Sequence, residues 1–503
     1  MLERISLGSA FNALTCIIII RSVLEAILEH HTLAPKGMDF YRELIAYAHI
    51  YVSWVCLFTV FALLISIFLG FKLSNSFKLS VFFSPLIIIV PIIDYFATGG
   101  ADISYGGNFS DFIFNYTNLF NPFAHIKMVS LGVRIEVFIA LFGAIAISRF
   151  YFKTNKILSV AFGIAIYTTI FGFGYLPALL PGLGSGLNLS CLPLYLPVIG
   201  IIAALVICIL IRESKDWLAI ISHLFFPSRL LFYILLLIFG DIFTAKRAGI
   251  YPEIFLTGGV IKLSFGILSI ILLFIHSLIQ NDINDREIDI VSNPSRTKLF
   301  AKIPIQEITA LKGLFLIPSA VIGIAADRYF FLLWLLIFAL SSIYSELPMR
   351  LRRFYPVGHI TLSAIGCSVF MAGAVIAGSR DFFEISDIPT MAGYVFLSFF
   401  FLSHIKDFKD MDGDRIGRVA NVYNLTRYPK ILGVLAAAGF SVSLMLILKL
   451  LSIVTLITCG VICLYFVTVA AAILRAHDLK RLDWILSLSL AVLGIISLVW
   501  LRA

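Results

Sequence analysis

Long apolar runs separated by short polar segments recur from one end of the chain to the other. Ile45–Phe71, Leu194–Ile211, Ile254–Ile279, Ile431–Leu450 and Trp484–Trp500 are examples. As helices, such runs reach across a hydrocarbon core of about 30 Å. The pattern predicts an all-α polytopic membrane protein. Six spans are expected before residue 213, at 9–29, 44–71, 78–98, 131–149, 156–177 and 194–212. Nine more are expected at 229–243, 255–280, 306–325, 327–344, 357–377, 389–405, 429–450, 452–474 and 482–501. Residues 213–228 carry charges, aromatics and Pro227, and read as an interfacial linker. The expected organisation is an N-terminal transmembrane domain at 1–212, the linker, and a nine-helix bundle at 229–503.

Composition supports this reading. Of 503 residues, 60% are hydrophobic and 13% charged, with mean hydropathy +1.01. About 25% charge is usual for a soluble domain, so polar residues are too few to cover a water-facing surface. The N-terminus shows no signal-peptide cleavage pattern, and Leu14–Ile20 reads as part of the first span. The seven cysteines lack ligand spacing and read as small buried hydrophobes.

The formal charge is +9, with the cations in short loops between spans. Orientation in a membrane therefore explains them, and no nucleic-acid partner is expected. Residues 282–305, 345–356, 406–430 and 475–481 hold four, three, six and three Lys/Arg, against six in all on the opposite side. The positive-inside rule places the richer side in the cytoplasm.

Two acidic constellations lie on that side. The first runs Asn281, Asp282, Asp285, Arg286, Asp289. The second runs Lys406, Asp407, Asp410, Asp412, Gly413, Asp414, Arg415. In each, three aspartates stand at i, i+3 and i+7, within an arc of roughly 60° on one helix face. Two like charges ~4 Å apart repel by about 4 kcal/mol at an effective dielectric near 20, so converging carboxylates call for cations. Oxygen ligands without His or Cys at ligand spacing suit Mg²⁺ completed by substrate phosphates. Arg286, Arg296, Lys406 and Arg415 stand ready for remaining anionic oxygens. A solvated loop would explain one such motif. Two copies with the same third Asp, on the same side, argue against it.

Asn281–Asp289 and Lys406–Asp414 resemble the paired NDxxDxxxD and KDxxDxxGD signatures of the UbiA prenyltransferase superfamily. The resemblance covers about 290 residues, from about 215 to the end. A third segment, from Tyr344 and Ser345 through Pro348 to Arg350, Arg352 and Arg353, resembles the stretch after that family's fourth span, in its chlorophyll-synthase-like form. The resemblance implies a nine-helix prenyltransferase bundle that uses Mg²⁺, two ions by the family pattern. Asn281, Asp282 and Asp285 would hold one ion, supported by Asp289. Asp407, Asp410 and Asp414 would serve a second ion and the diphosphate. Asp282, Asp285, Asp407 and Asp410 would be the catalytic carboxylates, and Tyr344, Arg350 and Arg352 would grip the donor. The expected partners are a polyprenyl diphosphate, a lipophilic acceptor (aromatic, quinone precursor or lipid) and membrane lipid. Two positions depart from the family pattern: the run Ser292–Lys298 lacks a proline after Arg296, and position 359 is His where a related branch has Asn.

Other polar residues carry weaker signals. His276 and His404 precede the motifs and read as packed, hydrogen-bonded side chains. Arg21 and Glu25 are spaced to pair on one helix face. Asp94 and Tyr95 read as an interfacial anchor. Gly182, Gly184 and Gly186 follow no strand and are discounted as a phosphate loop. Residues 1–212 match no motif. They read as a scaffold, with a separate lipid-modifying or transport unit as the alternative, and the 99–130 loop is expected outside with a short re-entrant or interfacial piece.

Two further readings stay open: phosphoribosyl-type transfer to a polyprenyl phosphate on the same metal site, and an ion-coupled carrier. The acidic residues cluster at one face and show no paired broken helices, which counts against the carrier. The expected location is a prokaryotic plasma membrane, multi-pass, with the site facing the cytoplasm.

Overall fold

The computed structural model describes residues 5, 7–28, 40–98, 109–121, 126, 129–179, 227–249, 257–284, 305–346, 349–378, 385, 387–416, 422–475, 488, 489 and 492. The described residues are helical, with turns between helices. Eleven of these helices are long and apolar enough to cross a membrane. The chain is a multi-pass membrane protein. It divides into two compact units, Met1–Leu218 and Ala219–Ala503.

In the first unit, α1 spans Leu7–Leu28 and α2 Phe40–Leu69. Gly70 stops α2 at φ 72°, a left-handed backbone that glycine adopts without strain. The expected third span is broken. It starts at Leu73 as α3 (Leu73–Phe82), passes through a 3₁₀ turn at Ser84–Ile88, and resumes as α4 (Ile89–Thr98). Pro85 sits at the start of that turn, where its missing N–H is tolerated. A short helix, α5 (Phe109–Asn118), occupies the expected outer loop. Next come α6 (Leu131–Ala146), capped by Ser130 through Val133 N at 3.2 Å, and α7 (Lys156–Leu179). The expected span at 194–212 and the linker at 213–226 lie outside the described residues.

Asp94 is not an interfacial anchor. It is buried, and its carboxylate accepts from Ser130 Oγ (2.6 Å) and Gly132 N (2.7 Å), so it caps the start of α6. Arg21 and Glu25 pair as their spacing predicts, at 2.5 Å.

The second unit contains α8 (Pro227–Arg247), α9 (Thr257–Asn284), α10 (Ile305–Ala326), α11 (Arg328–Ser345), α12 (Val357–Gly378), α13 (Asp387–Ile416), α14 (Pro429–Leu450) and α15 (Leu456–Arg475). These correspond to eight of the nine expected spans. The ninth, 482–501, lies outside the described residues except at 488, 489 and 492. Phe243, Phe370, Ala374, Met391, Phe440 and Tyr465 build the core.

Small and hydroxylated residues set the close helix contacts, as lipid supplies no hydrophobic drive between apolar helices. At the α8–α12 crossing, Gly240 and Gly373 let backbone press on backbone. A Cβ on Gly373 would lie 1.9 Å from Leu237 O. Between α9 and α10, Ser269 Oγ donates to Ser319 O (2.8 Å) and Ser319 Oγ to Ser269 O (2.7 Å). Trp334 Nε1 on α11 donates to Ser319 Oγ at 2.8 Å, which ties a third helix to the pair.

Candidate active site

Both acidic motifs begin at C-terminal ends of apolar helix segments. Asn281 and Asp282 occupy the last turn of α9. On α13 the helix continues unbroken to Ile416, so the backbone carries Asp407, Asp410 and Asp414 on one face of one helix. The side chains of Asp410, Asp414 and Arg415 lie outside the described set, as do Asp285, Arg286, Asp289 and Arg296 entirely.

Between α8, α9, α11, α12 and α13 lies a cavity of about 230 Å³. Its walls are apolar: Tyr233, Ile270, Phe274, Ile337, Ile365 and Phe399 among others. Polar side chains gather at one end, where Asn281, Tyr344, Ser345, Arg352 and Lys406 line it. Along α9 the wall runs from Ile270 to Asn281, about 16 Å at 1.5 Å per residue. The cavity therefore presents a charged mouth above an apolar slot. The first motif, the third segment and the second motif, far apart in sequence, meet at this mouth.

Arg352 joins the motifs. Its Nη1 lies 3.5 Å from Asn281 Oδ1, and its charge also acts on Asp407. Lys406 Nζ is 3.8 Å from Asp407 Oδ1. Asp282 is buried, at 7% exposure. Arg350 occupies a different place from Arg352. It is buried in a left-handed turn (φ 40°), does not line the cavity, and donates through Nη2 to Asn284 O at 2.8 Å.

Several residues that spacing did not single out support this arrangement. Asn284 Nδ2 donates to Ser345 O at 2.9 Å, so Asn284 is held from both sides and the end of α9 is fixed to the segment after α11. Lys312, on α10, donates to Gln280 Oε1 and lies 3.4 Å from Glu346 Oε1. A lone lysine in an apolar helix was the available signal for it. His276 Nδ1 is 2.9 Å from Lys312 O, a packed histidine as expected.

Asp407 has a second neighbour in His359, whose Nε2 is 3.0 Å from Oδ2. The His359 ring lies against that of His404, 3.9 Å between centroids and tilted by 31°. His404 Nδ1 is 2.7 Å from Phe400 O, and Tyr423 Oη donates to His404 O at 2.9 Å. Burial pushes the Tyr423 phenol far up, so it remains a donor. His359, noted in the sequence only as a departure, thus lies against a motif carboxylate.

Among the described residues, Asn281 offers its amide oxygen to the cavity, and the carboxylates of Asp282 and Asp407 stand next in sequence to the lining residues Asn281 and Lys406. This oxygen-only set fits a hard divalent cation such as Mg²⁺.

Two solved structures resemble the chain, each covering 55% of it. One is of digeranylgeranylglyceryl phosphate synthase, with 17% identity, TM-score 0.36 and 98% of its own length covered. The other is a UbiA homologue from Archaeoglobus fulgidus bound to GPP and Mg²⁺, with 18% identity, TM-score 0.39 and 96% covered. No curated protein matches the chain. The model of the UbiA prenyltransferase family matches residues 239–491, half of the sequence, and the chain belongs to that family.

Proposed function

We propose that this prenyltransferase moves a prenyl group from a polyprenyl diphosphate to a lipophilic acceptor, an aromatic compound, quinone precursor or lipid, in a Mg²⁺-dependent reaction at the cytoplasmic side of a plasma membrane. The observation that carries this reading is the cavity itself. Its apolar slot suits an isoprenoid tail, and its mouth of Asn281, Arg352 and Lys406 suits a diphosphate.

Asn281, Asp282 and Asp407 would hold Mg²⁺, with Asp285, Asp410 and Asp414 completing the two motifs. Bound there, Mg²⁺ would neutralise charge on the diphosphate. Arg352 and Lys406 give N–H donors to the diphosphate oxygens, and these contacts strengthen as negative charge develops. The allylic C–O bond breaks and its electron pair leaves with the diphosphate. The acceptor nucleophile forms the new bond to the allylic carbon and releases a proton. Tyr233, Phe274 and Phe399 line the slot and would exclude water from the tail. Arg350 and Asn284 act one step back, by holding the end of α9.

The test is transfer of label from a radioactive prenyl diphosphate into extractable lipid. Membranes carrying the wild-type chain are compared with Asp285→Ala and Asp407→Ala, with Mg²⁺ and with chelator. Incorporation that requires Mg²⁺ and both aspartates supports the proposal, and the labelled lipid identifies the acceptor. A folded wild-type chain that binds the donor yet transfers no label to any lipid extract would overturn it.

A further inference from the structure

Just below its charged mouth, the wall of the otherwise apolar slot carries hydroxyl groups. Ser277 on α9 and Ser341 on α11 both line the cavity and are only partly buried. Ser277 stands four residues before Asn281 and Ser341 four before Ser345. That places each about 6 Å below the mouth at 1.5 Å per residue. Ile270 and Ile337, on the same two helices, line the slot deeper still. The pair therefore lies between the part of the cavity that suits a diphosphate and the part that suits a hydrocarbon tail.

The protons of both hydroxyls are already committed. Ser277 Oγ donates to Leu273 O at 2.9 Å, and Ser341 Oγ to Phe338 O at 2.9 Å. A serine hydroxyl has one proton and two lone pairs, so each oxygen keeps capacity to accept. The two oxygens are 3.3 Å apart, beyond the usual range of about 2.5–3.0 Å for an O–H···O bond, and they do not satisfy each other well. Serines that only join membrane helices look different in this chain. Ser269 and Ser319 are fully buried and exchange reciprocal bonds of 2.8 and 2.7 Å. Lone pairs facing a cavity call for a ligand with a proton to give. The prenyl diphosphate has none there, since its diphosphate oxygens are acceptors and its tail is hydrocarbon.

We propose, resting on the prenyl-transfer reading above, that Ser277 and Ser341 form the acceptor subsite, and that the acceptor is an alcohol or phenol whose O–H donates to this pair. The hydrogen bond fixes the acceptor oxygen beside the allylic end of the donor. An acceptor without a hydroxyl leaves both serine oxygens unpaired and is rejected for that reason.

The test uses the full chain in detergent with Mg²⁺, a radioactive prenyl diphosphate and a total lipid extract as acceptor. Initial rates give kcat and the KM for the extract, and donor Kd is measured separately. Ser277→Ala and Ser341→Ala should each raise the acceptor KM about 2- to 12-fold, the equivalent of one neutral hydrogen bond, with kcat and donor Kd unchanged. Ser277→Thr keeps the hydroxyl and should recover most of the loss. Acetylating the extract caps its hydroxyls and should abolish transfer of label. An unchanged acceptor KM in the folded alanine variants, transfer to the acetylated extract, or a parallel loss of donor affinity overturns the assignment. A lower kcat at unchanged KM also overturns it, by placing the pair at the allylic cation. If one alanine variant misfolds, the other and the acetylated extract still decide. No transfer by the wild-type chain to any extract overturns the prenyl-transfer reading itself, and this assignment with it.

Discussion

Adding one methyl group at Gly373 tests the helix contact on which the cavity walls depend. Gly373 on α12 faces Leu237 on α8. A Cβ there would stand 1.9 Å from Leu237 O, 2.8 Å from Leu237 C and 3.0 Å from Asp241 N. Ordinary contact begins at 3.4 Å, so the helices must separate by 3.4 − 1.9 = 1.5 Å. All three atoms are backbone, and no rotamer change relieves the clash. Overpacking of this kind destabilises by about 1–3 kcal/mol. At about 2 °C per kcal/mol for a unit as large as Ala219–Ala503, Gly373→Ala should melt roughly 2–6 °C below wild type. Gly393→Ala is the control. Gly393 lies within α13 with nothing within 4 Å of its Cβ position, so the substitution should be neutral or stabilise by about 0.5–1 kcal/mol through helix propensity. The assay is thermal unfolding in detergent, followed by tryptophan fluorescence. Prenyl diphosphate affinity should fall with stability in Gly373→Ala, because α8 carries Phe232 and Tyr233 and α12 carries Leu362, Ile365 and Val369 of the cavity wall. A Gly373→Ala protein that melts with wild type would show that α8 and α12 do not cross glycine on glycine.

The two arginines of the third segment should separate by assay. Arg352→Gln should lower kcat/KM for the donor about 10- to 150-fold, the equivalent of a 1.5–3 kcal/mol charged hydrogen bond, with little change in Tm. Arg350→Gln should lower Tm as well, because it releases Asn284 O; equal Tm values would remove the distinction. His359→Ala should reduce activity about 10- to 100-fold, as loss of a partner that orients a metal ligand does, while Asp407→Ala should reduce it further. Activity in Asp407→Ala above that of His359→Ala would reverse the assigned roles. Ser319→Ala should destabilise by about 0.6–1.7 kcal/mol, the range for hydrogen bonds between membrane helices, and should shift Trp334 emission by removing the acceptor of its indole N–H. Unchanged emission would place that hydrogen bond elsewhere.

Membrane spans, their approximate limits, the two aspartate motifs and the family were all legible along the chain. Each depends on neighbours in sequence: apolar length sets a span, and i, i+3, i+7 spacing sets a helix face. The third span shows where this reasoning stops short, since Pro85 converts one apolar run into two helices joined by a 3₁₀ turn.

What only the tertiary structure decided concerns residues far apart in sequence. The family resemblance placed Arg350 and Arg352 together as donor-binding residues, yet a left-handed turn sends one guanidinium to Asn284 O and the other to the cavity mouth. His359 was a single departure from a motif until the crossing of α12 and α13 set it 3.0 Å from Asp407. Asp94 at a span end reads as an anchor, but the packing of α4 on α6 makes it a buried cap. Periodicity fixes which face of a helix a side chain occupies, whereas its partner depends on which helix packs there and at what depth.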